Sequence, residues 1–482
     1  MNRRDFSRTV LAAGAAAAPG YQGAAQNAEY YEEPPRKLPV RAVDVVVAGG
    51  GTAGVVAAVA AARQGARTML VESKGYVGGT VVEGGTALHS YYNLWKPFPG
   101  VSKRNVVRGI PKELVDRLLK VGGATGYPET LRNSGYDSVG TSIDTEMYKL
   151  IAFEMLEEAG VFVAVNTLLA GAVRKGSRLD GVIAESRSGR EMVRAKAFVD
   201  CTGYGDLSAH AGGKYSEPND HPVCNSMGVA NVDVEKLHQW LKSRDAVGDY
   251  VEGLRDGKEG QIVRLGGSAA RVSQEFAAGL RALGATFVTT TVRDNYFMFI
   301  KVNMQLPVSP TSRDAVAKAE AELRRRQYRT VELFRKHLPG CDKAFIARTS
   351  PSLNIRRGRL IACDYDITLA DVLEARHFDD DVMAYGFHDS APRLQIKNGG
   401  TYGIPYRALR VAGIENLLAA GMLITSDHEA HMSTRNTVCA MGQGQAAGTA
   451  AALCAARNCG TRDLPYGFFR KALEQGGVYF EN

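Results

Sequence analysis

The chain has 482 residues, 45% hydrophobic and 23% charged, with a formal net charge of +8. That length allows two or three domains, and the balance is that of a globular protein. The positive charge is not gathered into a stripe interleaved with aromatics, which argues against a nucleic-acid partner. Seven scattered cysteines without any C-x-x-C give neither zinc nor an iron–sulfur cluster its usual spacing, so no metal is expected.

Met1 to Ala28 reads as an address. Arg3-Arg4-Asp5-Phe6 precedes a weakly hydrophobic, Ala-rich run from Thr9 to Pro19, and Gly23, Ala24 and Ala25 offer small residues for cleavage. The pattern resembles a twin-arginine export signal, which moves folded, cofactor-loaded proteins across the bacterial inner membrane. It predicts a periplasmic or otherwise exported protein. The run is too short to span a membrane, and no other apolar run is long enough. Loss of residues 1–28 would leave a net charge of +6. Residues 29–42 are rich in Tyr, Glu and Pro and read as a linker.

Asp44 to Thr80 is the most informative stretch. Val45-Val46-Val47-Ala48 is a buried-strand run. Gly49, Gly51 and Gly54 follow in G-x-G-x-x-G spacing, then an Ala/Val-rich helix to Gln64, a stop at Gly65, and a second strand, Thr68 to Val71, leading into Glu72. Gly49 permits a tight turn, Gly51 lets the backbone approach a pyrophosphate, and Gly54 lets helix and strand pack closely. The helix N-terminus offers free N–H groups to phosphate. Glu72 lies about 20 residues on, where an acid hydrogen-bonds a ribose hydroxyl.

Beyond Thr80, residues 84–90 read as a loop over the nucleotide. Gly109 to Val121 and Thr145 to Ala159 read as helices, with loop over 123–141 and a strand from Val161 to Asn166. Leu168–Val173, Gly181–Arg187 and Met192–Ala195 alternate like antiparallel strands. A strand ending Asp200-Cys201-Thr202-Gly203 then offers a second nucleotide contact.

Residues 215–395 break the pattern and read as an inserted α+β substrate domain. Helices are expected near Val232–Ser243, Ala269–Leu283 and Asp314–His337, and a strand pair near Thr286–Thr291 and Tyr296–Gln305. Asn354 to Arg359 carries three arginines, suited to an anionic substrate, the electron-rich edge of a cofactor or surface ion pairs. Thr368 is a helix N-cap with Asp371 three residues on. The chain then returns to the first domain over 396–460. Gly413 to Gly421 reads as a strand, Cys439 to Ala451 as a small-residue helix, and 461–482 as a tail.

Together these pieces resemble the FAD-dependent oxidoreductase family whose flavin core is shared with heterodisulfide-reductase-like flavoproteins, with fumarate reductase and glucose-inhibited-division flavoproteins as more distant kin. The resemblance covers about residues 43–215 and 345–460. It rests on Gly49–Gly54 with Glu72 and Gly78-Gly79-Thr80, the helix Gly109–Val121, Val199–Gly203, Ile404–Arg407 with Asn416–Gly421, and Arg435 with Gly444–Ala451. It implies an α/β fold of the two-dinucleotide-binding-domain (Rossmann-type) kind, in two parts, 43–214 and 396–460. It implies FAD lined by Gly49, Gly51, Thr52, Ala53, Gly54, Glu72, Ser73, Gly79, Thr80, Thr202, Gly203, Gly421 and Gln445. The arginine stretch lacks the acid that the family usually carries between its arginines, and cysteine motifs of cluster-binding relatives are absent.

A flavin enzyme needs a group to take a proton while the flavin N5 accepts a hydride. His431, His428 and His89 fall in loops that the resemblance brings near the flavin, with His431 the first choice. Arg435 and Tyr406 are candidates for polarising an oxygen. The expected activity is oxidation of a small polar molecule, with oxygen, a quinone or a redox protein as electron acceptor. The alternatives are reduction of a C=C bond and a non-catalytic role in electron transfer.

Overall fold

Four short runs of buried residues and one half-buried edge strand build the central sheet. The computed structural model describes residues 31–84, 87–89, 91–92, 103–128, 130–132, 140–386, 396–398, 400–425 and 427–481. The arginine pair at positions 3 and 4 and the side chain of His89 lie outside the described residues. Residues 31–37 carry no regular secondary structure, and Leu38 to Asn482 form one compact unit.

The sheet runs in the order Leu417–Ala419, Ala197–Asp200, Val45–Ala48, Thr68–Val71, Phe162–Ala164, and every pairing is parallel. A parallel strand covered on both faces must be apolar throughout, which is why Val45–Ala48 is fully buried. The helix Thr52–Arg63 covers one face and packs lengthwise on the helix Thr437–Arg457. Small residues make that approach possible. A Cβ on Gly444 would lie 2.2 Å from the Ala53 carbonyl oxygen, and one on Gly448 would lie 2.0 Å from that of Ala57.

A second sheet is the predicted meander, Leu168–Lys175, Arg178–Ser186 and Gly189–Arg194. The linker adds a fourth strand to it, Val40–Ala42, parallel to Gly189–Arg194. Buried Asn416 ties this sheet to the main one. Its amide accepts from Leu179 N at 2.9 Å and donates to Leu179 O at 3.0 Å and Lys196 O at 2.9 Å.

The inserted region has its own apolar cores. One joins Met227, Leu237, Phe276, Phe297 and Phe334, and a smaller one joins Val223, Val302, Leu323 and Ile355. Its helices are Val234–Ser243, Ala269–Val272, Gln274–Leu283 and Arg313–His337. Later in the stretch read as inserted, Ile361, Val372 and Met383 pack into the main core, as does Ile396 just beyond it. The two expected strands meet only beside an isolated antiparallel bridge, Ala285 to Val302, with Thr286 N donating to Lys301 O at 2.9 Å, and their main pairings lie elsewhere. Val288–Thr290 joins Lys258–Gly267, whereas Tyr296–Met304 joins Val223–Ala230. Strands at Val247–Arg255 and Lys258–Gly267 lie between the expected elements and form a hairpin.

Smaller differences follow from tertiary packing. The stretch after Thr80 holds a short helix, Thr80–Gly84, and a strand, Ala87–His89, and the 123–141 loop contributes short strands at Thr130–Arg132 and Gly140–Ser142. The C-terminal tail contains a helix, Tyr466–Gln475, that buries Phe469 and Leu473 in the main core. The capping box at Thr368 forms as read, with Asp371 accepting a hydrogen bond from the Thr368 N–H at 2.9 Å.

Candidate active site

The carboxyl ends of the parallel strands open onto a groove with about 1140 Å³ of empty space, part of it open to solvent. Gly49 turns the chain out of its strand with φ +91°, and a Cβ there would lie 2.5 Å from the Cys201 carbonyl oxygen. Gly54 is tighter still, since its Cβ would meet the Gly49 oxygen at 1.8 Å. Gly51 is the opposite case. No heavy atom lies closer than 3.7 Å to a Cβ built on it, so its backbone faces open groove. Gly51 is also the N-cap of the helix Thr52–Arg63 and supplies no side-chain cap. The first-turn N–H groups therefore point at the groove without a side-chain acceptor, an arrangement suited to phosphate.

Glu72 is buried on the groove wall. Its carboxylate accepts from Gly50 N at 2.7 Å, Lys74 N at 2.8 Å and Ser73 Oγ at 3.1 Å. It thus braces the glycine turn from within, and its oxygens keep a further lone pair for a ribose hydroxyl. Across the groove, Asp200 is fully buried and accepts from the Thr202 N–H at 3.1 Å and hydroxyl at 2.8 Å, and from the Ser208 N–H at 2.8 Å and hydroxyl at 2.7 Å. Burial pushes its carboxyl up, and these four bonds work against that. They fix the Thr202-Gly203 turn at the groove. Gly421 N donates to Gln443 Oε1 at 2.7 Å, which holds the third loop in place. The N-terminus of the helix Thr437–Arg457 also lacks a side-chain cap, and Thr437 and Ala440 line the groove.

Of the thirteen residues expected at the cofactor, Gly49, Gly51, Thr52, Ala53, Glu72, Ser73, Gly79, Thr80, Thr202, Gly203 and Gly421 line this groove. Gly54 lies behind it, in its helix–strand packing role. Gln445 faces away. Its amide is taken by Ile110 N at 2.9 Å and Gly476 O at 2.8 Å.

The candidate catalytic residues divide. Arg435 lines the groove. Tyr406 does not: it is buried beside Phe469, and its hydroxyl donates to Thr461 O at 2.9 Å. His428 and His431 sit on a short helix, His428–Thr434, rather than in a loop. His431 is fully buried, and its Nε2 donates to Arg356 O at 2.9 Å. Burial first, then the charges of Arg357 and Arg435, push this imidazole well below the ordinary histidine range. It is a neutral anchor for the arginine stretch and does not line the groove.

Two residues that sequence reasoning passed over complete the cluster. Asp220 accepts from His221 Nδ1 at 2.9 Å, from His428 Nδ1 at 2.6 Å and from Arg357 Nη1 at 2.6 Å. Burial would raise its carboxyl, but the two imidazoles and the guanidinium hold it down at about 2. His221 is pushed down to about 4, chiefly by burial. Its ring stands 4.6 Å from that of His428 and 5.5 Å from that of His431, and its Nε2 lies 3.2 Å from Met432 Sδ. That sulfur is 3.9 Å from Arg435 Nη2, so the cluster reaches the groove wall. Asp220, His221 and His428 also have the separation of a metal triad. Arg357 stands against such a reading, because Nη1 lies 3.3 Å from His428 Nδ1 and brings a positive charge where the cation would sit.

The family model described as FAD dependent oxidoreductase matches residues 44–473. The chain belongs to that family. It is accordingly an enzyme with FAD as its cofactor, and the groove fits the group: an open glycine turn, two uncapped helix N-termini and a buried acid at the end of the second strand. Among curated proteins none matches the chain. Solved structures similar to it include a geranylgeranyl bacteriochlorophyll reductase-like protein from Thermoplasma acidophilum, 14% identical, covering 90% of this chain and 83% of that one with a TM-score of 0.44. The flavin-dependent brominase Bmp2 is 12% identical, covering 90% and 84% with a TM-score of 0.47. The p-nitrophenol 4-monooxygenase PnpA from Pseudomonas putida DLL-E4 is 11% identical, covering 92% and 90% with a TM-score of 0.42. Among the described residues no helix is long and apolar enough to cross a membrane.

Proposed function

We propose that the enzyme oxidises a small polar organic molecule bound between the groove and the Asp220 cluster. Bound FAD supplies the centre that accepts a hydride or electron pair. The chain's own part is to hold the donor and remove a proton. One observation carries this reading: a single carboxylate, Asp220, holds Nδ1–H of both His221 and His428 beside the groove-lining Arg435. Each imidazole is then fixed in the tautomer whose Nε2 can accept a proton, as in other His–Asp pairs. His428 is half exposed and can pass that proton to solvent, whereas His221 is buried on the side toward Met432. Arg435 is placed to polarise a substrate oxygen. The test is to mix the holoenzyme anaerobically with alcohols, amines and hydroxy acids and follow the flavin's visible absorption. Bleaching by at least one donor supports the reading. If only an added reductant bleaches the flavin, and a C=C acceptor then restores its colour, the enzyme runs in the reductive direction.

The same proposal includes export with FAD already bound and electron transfer to oxygen, a quinone or a redox protein. Its support is Arg3-Arg4-Asp5-Phe6 and the Ala-rich run behind it. Replacing Arg3 and Arg4 by Lys and fractionating cells tests it. A flavoprotein that stays in the cytoplasm with either sequence refutes it.

A further inference from the structure

We infer that Cys454 and Cys459 are a modification site, a thiol pair that closes to a disulfide when the folded chain meets a disulfide oxidant. The helix Thr437–Arg457 ends at Asn458, a left-handed residue with φ +51°. The next N–H, that of Cys459, turns back and donates to Cys454 O at 3.1 Å. A helix that ends in this way brings the two side chains at the ends of that hydrogen-bonded turn into contact. Here both are cysteines, and their thiols lie within hydrogen-bonding reach of each other. Cys454 Sγ also lies 3.7 Å from Gly460 O, so it faces the loop that carries its partner.

Burial divides the roles of the two sulfurs. Cys454 is buried and Cys459 only partly so. Burial first, then the neighbouring Cys459, pushes the Cys454 thiol up. Cys459 is therefore the sulfur that an external disulfide reaches. Its thiolate attacks the donor, one donor thiol leaves, and a mixed disulfide forms on Cys459. Cys454 then loses its proton to solvent and attacks the Cys459 sulfur, and the second donor thiol leaves. Two protein thiols are oxidised, and the donor disulfide is reduced to two thiols. The flavin is not the oxidant, because Cys454 lies about 21 Å along the helix from the groove-lining Ala440.

The bond ties the far end of this groove-reaching helix to the loop that follows it. That loop is already held to the main sheet: Thr461 N donates to Glu415 O at 2.7 Å, and Thr461 O accepts from the Tyr406 hydroxyl at 2.9 Å. Because the helix end already holds the two cysteines together, the bond closes without refolding. That suits a chain folded around its cofactor before it reaches an oxidising compartment.

The holoenzyme is incubated with oxidised glutathione, alkylated, digested with trypsin without reductant and mapped by mass spectrometry. Trypsin cuts after Arg457, so the disulfide joins the peptides 436–457 and 458–462, and a reductant separates them. Cys454→Ala and Cys459→Ser should each abolish the linked pair. Cys439→Ser should keep it, which places the bond on Cys454, since peptide 436–457 carries both cysteines. Glutathione left on Cys459 with no linked pair, two unlinked peptides after oxidation, or a linked pair that persists in Cys454→Ala overturns the inference. The purified enzyme answers this wherever the chain resides in the cell, so a failed export reading and a failed disulfide are told apart.

Discussion

Glu72→Gln isolates what the buried acid does for the cofactor. The carboxylate now accepts three hydrogen bonds, from Gly50 N at 2.7 Å, Lys74 N at 2.8 Å and Ser73 Oγ at 3.1 Å. An amide of the same shape has one oxygen, so one of the two backbone N–H donors would face an NH₂ group. Hydrogen bonds to a charged group contribute about 1.5–3 kcal/mol, and a neutral replacement keeps part of that. The loss expected for the turn and the ribose contact together is about 1.5–3 kcal/mol, or about 10- to 150-fold in the FAD Kd. The assay is fluorescence titration of apoprotein with FAD, with far-UV circular dichroism to show that the fold is kept. An unchanged Kd in a folded variant would refute the argument that Glu72 organises the adenosine end of the groove.

Three further outcomes follow from particular contacts. Gly54→Ala places a Cβ 1.8 Å from the Gly49 oxygen, so the variant should lose FAD and show a depressed Tm; a holoprotein of parental Tm contradicts this. Asn416→Ala leaves buried groups of Leu179 and Lys196 without partners, a cost of about 2–4 kcal/mol that denaturant unfolding would report. Acid should destabilise the fold in two steps. His221 is depressed to about 4, so the unfolded chain binds the extra proton between pH 6.5 and 4 and stability falls as pH drops through that window. Asp220 is depressed to about 2, so its contribution is present above pH 3.8 and is lost as pH falls toward 2. A Tm that is flat from pH 7 to 4 in the parent, or that slopes equally in His221→Gln, counts against the assignment.

The nucleotide groove was legible because its parts are local. Gly49, Gly51, Gly54 and Glu72 sit in one strand–turn–helix–strand unit, where spacing along the chain fixes spacing in space. The Asp200 to Gly203 turn could be read for the same reason. The Asp220 cluster could not. Asp220 and His428 are 208 residues apart, and only the fold of the inserted region brings them together. Gln445 shows a different limit. Gln443 and Gln445 are two residues apart on one helix, about 200° around its axis, so they face opposite sides. Gln443 reaches Gly421, and Gln445 reaches Ile110 and Gly476. The small-residue pattern places a helix over Cys439–Ala451, inside the observed Thr437–Arg457, but does not set its rotation about its own axis. His431 stands just before that helix in sequence, and its full burial against Arg356 O is a tertiary fact that its neighbours in sequence do not announce.

The most direct test of the account is single-turnover flavin reduction, by a donor found in the anaerobic screen, in the parent, His428→Gln and His431→Gln. If the Asp220-held imidazole takes the substrate's proton, His428→Gln should slow reduction by about 10²- to 10⁴-fold with FAD still bound, and His431→Gln should stay near the parental rate. A parental rate in His428→Gln together with a large loss in His431→Gln would contradict the placement of the base.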